Sequence, residues 1–463
     1  MPARRAVAKM AGLNSIDKKK SPIPDVTDGV SSSREKIGTF ASLRIHKFRL
    51  LLTGTTLSNA AHWIQQVTLS WLIYDLTSSG AMLGTINLVR SVASLVMIPI
   101  AGVLIDRLNR RNLLLIINGW LFVITLTFGF MLIFGYSNIL FLFAFSFLGG
   151  MAQTIDMALR QVLVFDLVTR SLTPNAVALV QTGWSLMRSF GPGIGGLLIL
   201  WFGPGGNFLI QAGVYIFVAV TIMQIQFPLR KSSAVLGSSL DNIREGFRYV
   251  MKERTTKAFM LMGLVLPLLI IPIFAVLPPI YAVQIFHDGS GKVLGFLMAS
   301  VGVGGIAGGV VTASLGHLER RGLLQLASLF LLSLSLVGFA FSTTLWVALP
   351  LLILSGVFEM IFLTTNQTLL QLSIPDNLRG RVTSVVNLNI ALVPMGGLIA
   401  GIGSDLLGGP KMITIILAGI AVIISFLVLL FSPTVRNYRL SKAMASDSTS
   451  TPSSSPKKDG TGV

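Results

Sequence analysis

No cysteine occurs anywhere in the 463 residues, which excludes disulfides and thiolate metal sites and leaves the redox compartment open. Charge is scarce as well: Asp, Glu, Lys and Arg together make up 12% of the chain, about half the share a soluble domain needs for its surface. Acidic residues are the scarcest, 18 against 36 Lys and Arg, for a net charge of +18. In a soluble protein that excess would point to nucleic acid; its placement here excludes that partner. No nucleophile–base set, metal-ligand cluster or phosphate-binding loop stands out, so neither an enzyme, a metal site nor a cofactor is expected. No secretory signal is expected either, because the first forty or so residues are polar and basic and the first apolar run comes too late and runs too long.

Hydrophobic residues, in contrast, make up 52% of the chain. They gather into about twelve runs, each long enough to cross roughly 30 Å of hydrocarbon as a helix. The expected spans are 47–76, 81–105, 112–135, 138–165, 176–203 and 205–228, then 258–283, 292–316, 323–345, 346–372, 382–409 and 410–433. In lipid every backbone polar group must bond within its own segment or a closed barrel, and these runs are too continuous for barrel strands. An all-α membrane protein follows.

Twelve crossings put both tails on one side, together with the even-numbered turns. Those turns carry Arg107, Arg110, Arg111, Arg170, Arg230, Lys231, Arg320, Arg321, Arg379 and Arg381, whereas the opposite turns hold only Lys292 and Lys411. By the positive-inside rule both termini are cytoplasmic and the protein sits in the inner (plasma) membrane as a multi-pass chain. The tails, 1–46 and 434–463, read as disordered. Residues 229–257 read as a cytoplasmic linker between six-span halves, 47–228 and 258–433. Within the linker Leu240, Ile243, Phe247, Val250 and Met251 share one helical face opposite Arg and Lys, the pattern of a helix lying at an interface.

The halves repeat. At a constant offset of 206, Gly150, Leu172, Gly191 and Gly195 align with Gly356, Leu378, Gly397 and Gly401. Two parallel six-helix repeats with a midplane site between them are a transporter architecture.

The turn after the second span reads Gly102-Val-Leu-Ile-Asp106-Arg107-Leu-Asn109-Arg110-Arg111. It resembles the cytoplasmic signature of the major facilitator superfamily, with Asn109 where a second glycine is usual. The resemblance implies a charged latch between the halves, with Asp166 as candidate partner for Arg107 or Arg110; the alternative is that these arginines only set topology. Glu319-Arg320-Arg321-Gly322 is its counterpart in the second half and lacks an aspartate matching Asp106. Gly191-Pro192-Gly193-Ile-Gly195-Gly196 resembles the family's antiporter motif, although close packing and a proline bend also explain it. Trp63, Gln66, Trp71-Leu72, Tyr74, Arg160-Gln161, Glu245-Gly246-Phe247-Arg248 and Pro375-Asp376 look like the transmembrane secretion effector subgroup.

Ionisable residues at membrane depth are the best pointers to mechanism, because a mid-helix charge costs about 2.5–3.5 kcal/mol unless it has a partner, water or a role. Arg90, Asp156, Arg160, Arg188 and Glu359 qualify. Asp156 and Arg160, spaced i, i+4, can neutralise each other, with Gln153 on the same face. Gln153 corresponds to Glu359 and Arg160 to Asn366, so a polar stripe is expected to face inward in each half. Glu359 and Asp156 are the candidates for proton coupling; for Glu359 a permanent pair with Arg188 or Arg90 stands as the alternative. His62, Trp63, Gln66, Gln153, Arg188 and Asn366 are the candidate substrate contacts, and the adjacent Pro278 and Pro279 suggest a kink near the outer end of the seventh span.

The expected function is secondary active transport, the proton-coupled export of a small amphipathic molecule by alternating access. The alternatives are translocation of a lipid or lysophospholipid, or a membrane scaffold or sensor that transports nothing.

Overall fold

The computed structural model describes residues 41–169, 172–225, 239–289, 291–315, 318–375 and 392–438, with 378, 382, 385 and 386 between them. Arg170, Arg230, Lys231, Arg379, Arg381, both distal tails and the side chains of Leu240 and Ile243 lie outside the described residues. Everything below belongs to one compact unit, residues 42–463. Among the described residues there is no strand.

The helices are α1 (His46–Thr77), α2 (Gly80–Arg107), α3 (Arg110–Ile133), α4 (Ile139–Leu167), α5 (Thr173–Met223), α6 (Ser239–Lys252), α7 (Arg254–Ile285), α8 (Lys292–Ser314), α9 (Arg321–Phe341), α10 (Leu345–Leu372), α11 (Val393–Leu406) and α12 (Pro410–Phe431). Nine helical stretches among the described residues are long and apolar enough to cross a membrane. The stretch ending at Met223 is two crossings, because Gly203 (φ 67°, ψ 175°) breaks the helix. That break falls between the expected spans 176–203 and 205–228, and only glycine adopts such a conformation without strain. The second arm ends at Met223, short of the expected 228. With α1 and α11, of which 14 residues are helical, the described residues supply six helical stretches on either side of α6.

The polar content of α1 reflects its position. Thr55, Ser58, Asn59, Gln65, Thr68 and Ser70 are buried on it, against α5, α4 and α2 rather than lipid. A helix wrapped by neighbours needs no continuous apolar surface. α7 departs from α-geometry in two π-turns, Leu266–Ile270 and Tyr281–Ile285, flanking Pro272, Pro278 and Pro279. Each proline removes an intrahelical donor, and the wider turns absorb the mismatch.

Within the first half α1 and α3 pack on α5, and α2 on α4; in the second half α8 and α9 pack on α10, and α9 on α12. The repeat is visible in contact: Gly150 of α4 lies against the main chain of Arg90 in α2, and Gly356 of α10 against that of Val301 in α8. Between the halves α2 meets α11 and α5 meets α8.

Both interfaces depend on missing Cβ atoms. A Cβ on Gly196 would strike Gly295 Cα, one on Gly193 would come within 2.8 Å of Ala299 Cβ, and one on Gly401 would strike the Gly80 carbonyl. All these glycines lie toward the face where α1 ends and α2 begins, hereafter the far face. On the opposite, basic face lie Arg107, Arg110, Arg111, Arg320, Arg321 and the amphipathic α6, whose Val250 is buried while Phe247 and Met251 are exposed.

Candidate functional site

A cavity of about 670 Å³ lies between the halves, walled by α1, α5, α7, α8 and α10. Glycine contacts between α5 and α8 roof it toward the far face, near Leu294 and Pro279. Its other end reaches Gln181, Thr182, Val310 and Gln367, all exposed, so among the described residues the cavity is closed on the far face and open toward the basic face.

Its walls are mainly apolar (Val67, Phe274, Met298, Met360 and Leu363), with polar groups gathered at mid-depth. There Arg188 of α5 donates through Nη2 to Glu359 Oε1 of α10, an ion pair that ties the two halves together inside the cavity wall. The Arg188 guanidinium also lies 5.8 Å from the Trp184 ring centroid, a cation–π contact. Trp184 and Trp63 meet edge to face with centroids 6.0 Å apart. Gln66 donates to Asn87 Oδ1 of α2 at 3.0 Å, while its own Oε1 and the Trp63 Nε1 are buried without a hydrogen-bond partner among the described residues. Such groups are costly to leave unmade, so they mark where a ligand or water belongs. The combination of aromatic and aliphatic walls with a few convergent polar groups suits an amphipathic small molecule.

The glycine-proline segment of α5 shapes the same wall from two sides. Gly191 and Gly195 let α1 approach at Trp63 and Ile64, and Gly193 and Gly196 let α8 approach from the other half, while Pro192 lines the cavity itself.

Other expected site residues lie elsewhere. Asp156 is 1% exposed inside the first half, where Oδ2 accepts from Ser58 Oγ (3.0 Å) and Arg160 Nε (2.7 Å) and Oδ1 from Asn118 Nδ2 (3.1 Å). Gln153 is buried on the same helix with its Nε2 unpartnered. Asn366 is buried in the second half and accepts from Gln325 Nε2 at 2.6 Å. His62 sits beside Trp63, ring centroids 5.6 Å apart.

On the basic face Arg110 pairs with Asp166 and Arg111 donates to the Met223 carbonyl, so both join helices of a single half. Asp106 and Arg107 are exposed and make no ion pair or hydrogen bond among the described residues, and nothing approaches the Cβ position of Gly102.

One residue absent from the expectations joins the halves on the far face. Asp405, at the end of α11, accepts from the Gly80 amide (Oδ1, 2.7 Å), the Ala81 amide (Oδ2, 2.9 Å) and Ser79 Oγ (2.7 Å). A carboxylate from the second half thus caps the positive N-terminus of α2 in the first. Sequence offers no signal for this contact, because the partners are more than 320 positions apart.

Residues 37–457 match the sequence pattern of the transmembrane secretion effectors. The chain belongs to that family. Among relatives of this transmembrane secretion effector are the staphyloferrin A transporter of Staphylococcus aureus, 26% identical over 75% of this chain and 87% of the relative, and the multidrug efflux pump Tap of Mycolicibacterium fortuitum, 25% identical over 78% and 89%. Solved major facilitator transporters share its fold. A bacterial homolog of the human lysosomal transporter Spinster, inward-facing and unoccupied, superposes with a TM-score of 0.67 at 14% identity, covering 85% of this chain and 98% of that one. The D-xylose–proton symporter gives 0.63 at 13%, covering 85% and 99%. The secretion effector is therefore a major facilitator superfamily membrane transporter of twelve helices in two six-helix repeats.

Proposed function

We propose that the protein is a proton-coupled exporter of a small amphipathic compound, working by alternating access and drawn here in its cytoplasm-open state. The carrying observation is the Arg188–Glu359 pair, which spans the two halves in the wall of the cavity. Relatives named for efflux and for a staphyloferrin support the direction, and the basic turns support a cytoplasmic basic face with both termini inside an inner membrane.

In this reading the bodies 47–228 and 258–433 rock about the cavity, and residues 229–257 bridge them with α6 lying on the lipid surface. Substrate enters from the cytoplasm and settles on Trp63, Trp184 and Gln66. Its binding loosens the Arg188–Glu359 pair, and the halves part on the far face. Release there leaves Glu359 exposed to the outer solution, where it takes up a proton. The neutral carboxyl travels back, and on return Arg188 draws the carboxylate into the ion pair and the proton leaves to the cytoplasm. One proton moves inward for each cycle outward, and Arg110 with Asp166 steadies the basic turn throughout.

The test is uptake into inverted vesicles under an imposed proton gradient. Glu359→Gln abolishes gradient-driven accumulation while exchange down the substrate's own gradient persists. Unchanged proton-driven uptake by that variant refutes the coupling role.

A further inference from the structure

The charges at membrane depth do not balance. Asp156 pairs with Arg160 and Glu359 with Arg188. Arg90, in the first half of α2, makes no ion pair and no side-chain hydrogen bond among the described residues, yet is only half-buried. A lone guanidinium at this depth needs water, a partner or a ligand.

Its surroundings are rich in donors. The Arg90 stem lies across Gly150 of α4, where a Cβ would sit 2.8 Å from its Cγ. One turn further along that face is Gln153, whose buried Nε2 has no hydrogen-bond partner among the described residues. Gln65 of α1 sets its amide nitrogen against neighbouring Gly149, and His62 lies one turn before Gln65 on the same helix. Asp156, one turn beyond Gln153 on α4, is already engaged by Arg160, Ser58 and Asn118. The cavity is adjacent: Asn87, three residues before Arg90 on α2, holds the cavity-lining Gln66, and His62 contacts Trp63.

We propose that Arg90, supported by Gln153 and His62, is an anion-binding subsite for the carboxylate or other acidic group of the transported compound, whose apolar body lies on Trp63 and Trp184. This rests on the cavity being the substrate site. It narrows the amphipathic substrate to an anionic one: Arg188 is already neutralised by Glu359, and Arg90 is not. A planar guanidinium with a fixed fork of donors suits a carboxylate in two-point contact.

The experiment uses the purified full-length protein in nanodiscs and follows tryptophan quenching by 4-nitrobenzoate and by its neutral isostere 4-nitrobenzamide. The wild type prefers the carboxylate. Arg90→Gln removes that preference, weakening the carboxylate by roughly 10- to 100-fold and leaving the amide unchanged. Arg90→Lys keeps the charge but loses the fork, retains part of the preference, and reports on the site if the glutamine variant folds poorly. Equal affinity of the two probes for the wild type, or a preference that survives Arg90→Gln, overturns the subsite and leaves the cavity assignment standing. Failure of both probes to bind the wild type overturns both.

Discussion

Replacing Asp405 by alanine releases the far-face closure. Its two carboxylate oxygens take two backbone amides and one hydroxyl at the start of α2, all from the other half of the molecule. Ser79 Oγ still accepts from Met82 N at 3.3 Å, so the helix keeps its own cap. The loss therefore falls on the bond between the halves rather than on α2. Cap removal costs about 0.5–2 kcal/mol and a charge at a helix terminus contributes about 0.3–1. Asp405 is exposed, and water screens it and replaces it at the freed amides. A value of about 1.4 kcal/mol follows, which is roughly a tenfold shift toward the far-open state. The absence of native cysteine allows a direct measurement. A Ser70→Cys substitution places a single thiol in the cavity wall below the roof, and an impermeant maleimide added on the far side reports how often that roof opens. Asp405→Ala raises the labelling rate about tenfold by the same arithmetic. Asp405→Asn, which keeps one acceptor oxygen without the charge, falls between. Asp75→Ala, on an exposed far-face acid that makes no hydrogen bond among the described residues, leaves the rate alone. A rate in Asp405→Ala indistinguishable from the parent would show that this carboxylate does not hold the halves together.

Three further outcomes follow. Glu359→Gln uncouples transport from the proton gradient while the protein stays folded, as vesicle flux and thermal unfolding in nanodiscs together report. Gly196→Val cannot seat its side chain against Gly295, so the roof fails to close; far-side labelling at Ser70→Cys rises and net transport falls to background. Asp156→Asn leaves Arg160 buried without its counter-charge, which costs about 3–5 kcal/mol; a thermal unfolding midpoint equal to that of the parent would refute the structural weight given to that network.

Most of the fold was legible because lipid leaves a chain few choices. Long apolar runs had to be helices, and the Gly203 break fell where two spans were expected to meet. Chain periodicity puts Asp156 and Arg160 on one helix face, where they pair; the motif offers Asp166 to Arg107 or Arg110 in a latch between the halves, and it pairs with Arg110 inside the first half. Helix ends were less legible, since hydropathy fades gradually while a helix stops at one residue; α7 starts at Arg254 rather than 258, and α12 ends at Phe431 rather than 433. Contacts across the halves were the least visible. Arg188 with Glu359 could be named only as one of two pairings, because nothing in either span says which cation faces the carboxylate. Asp405 belongs to no motif and draws no expectation, because its partners Ser79, Gly80 and Ala81 are distant in sequence. Asn366 shares a repeat position with Arg160, yet its partner is Gln325 of a neighbouring helix, and repeat symmetry alone says nothing about where an amide turns.

The roof is main chain laid on main chain, and this has a consequence for the energetics of the cycle. Glycine presents little hydrocarbon, and exposed apolar area is worth only about 25 cal/mol per Å², so uncovering the α5–α8 seam forfeits little solvent-exclusion energy. The far-closed arrangement is thus not deeply trapped by packing at this seam. In the proposed cycle the few ionic ties then become the main bias on the equilibrium, which gives a single proton or one bound molecule the leverage to tip it.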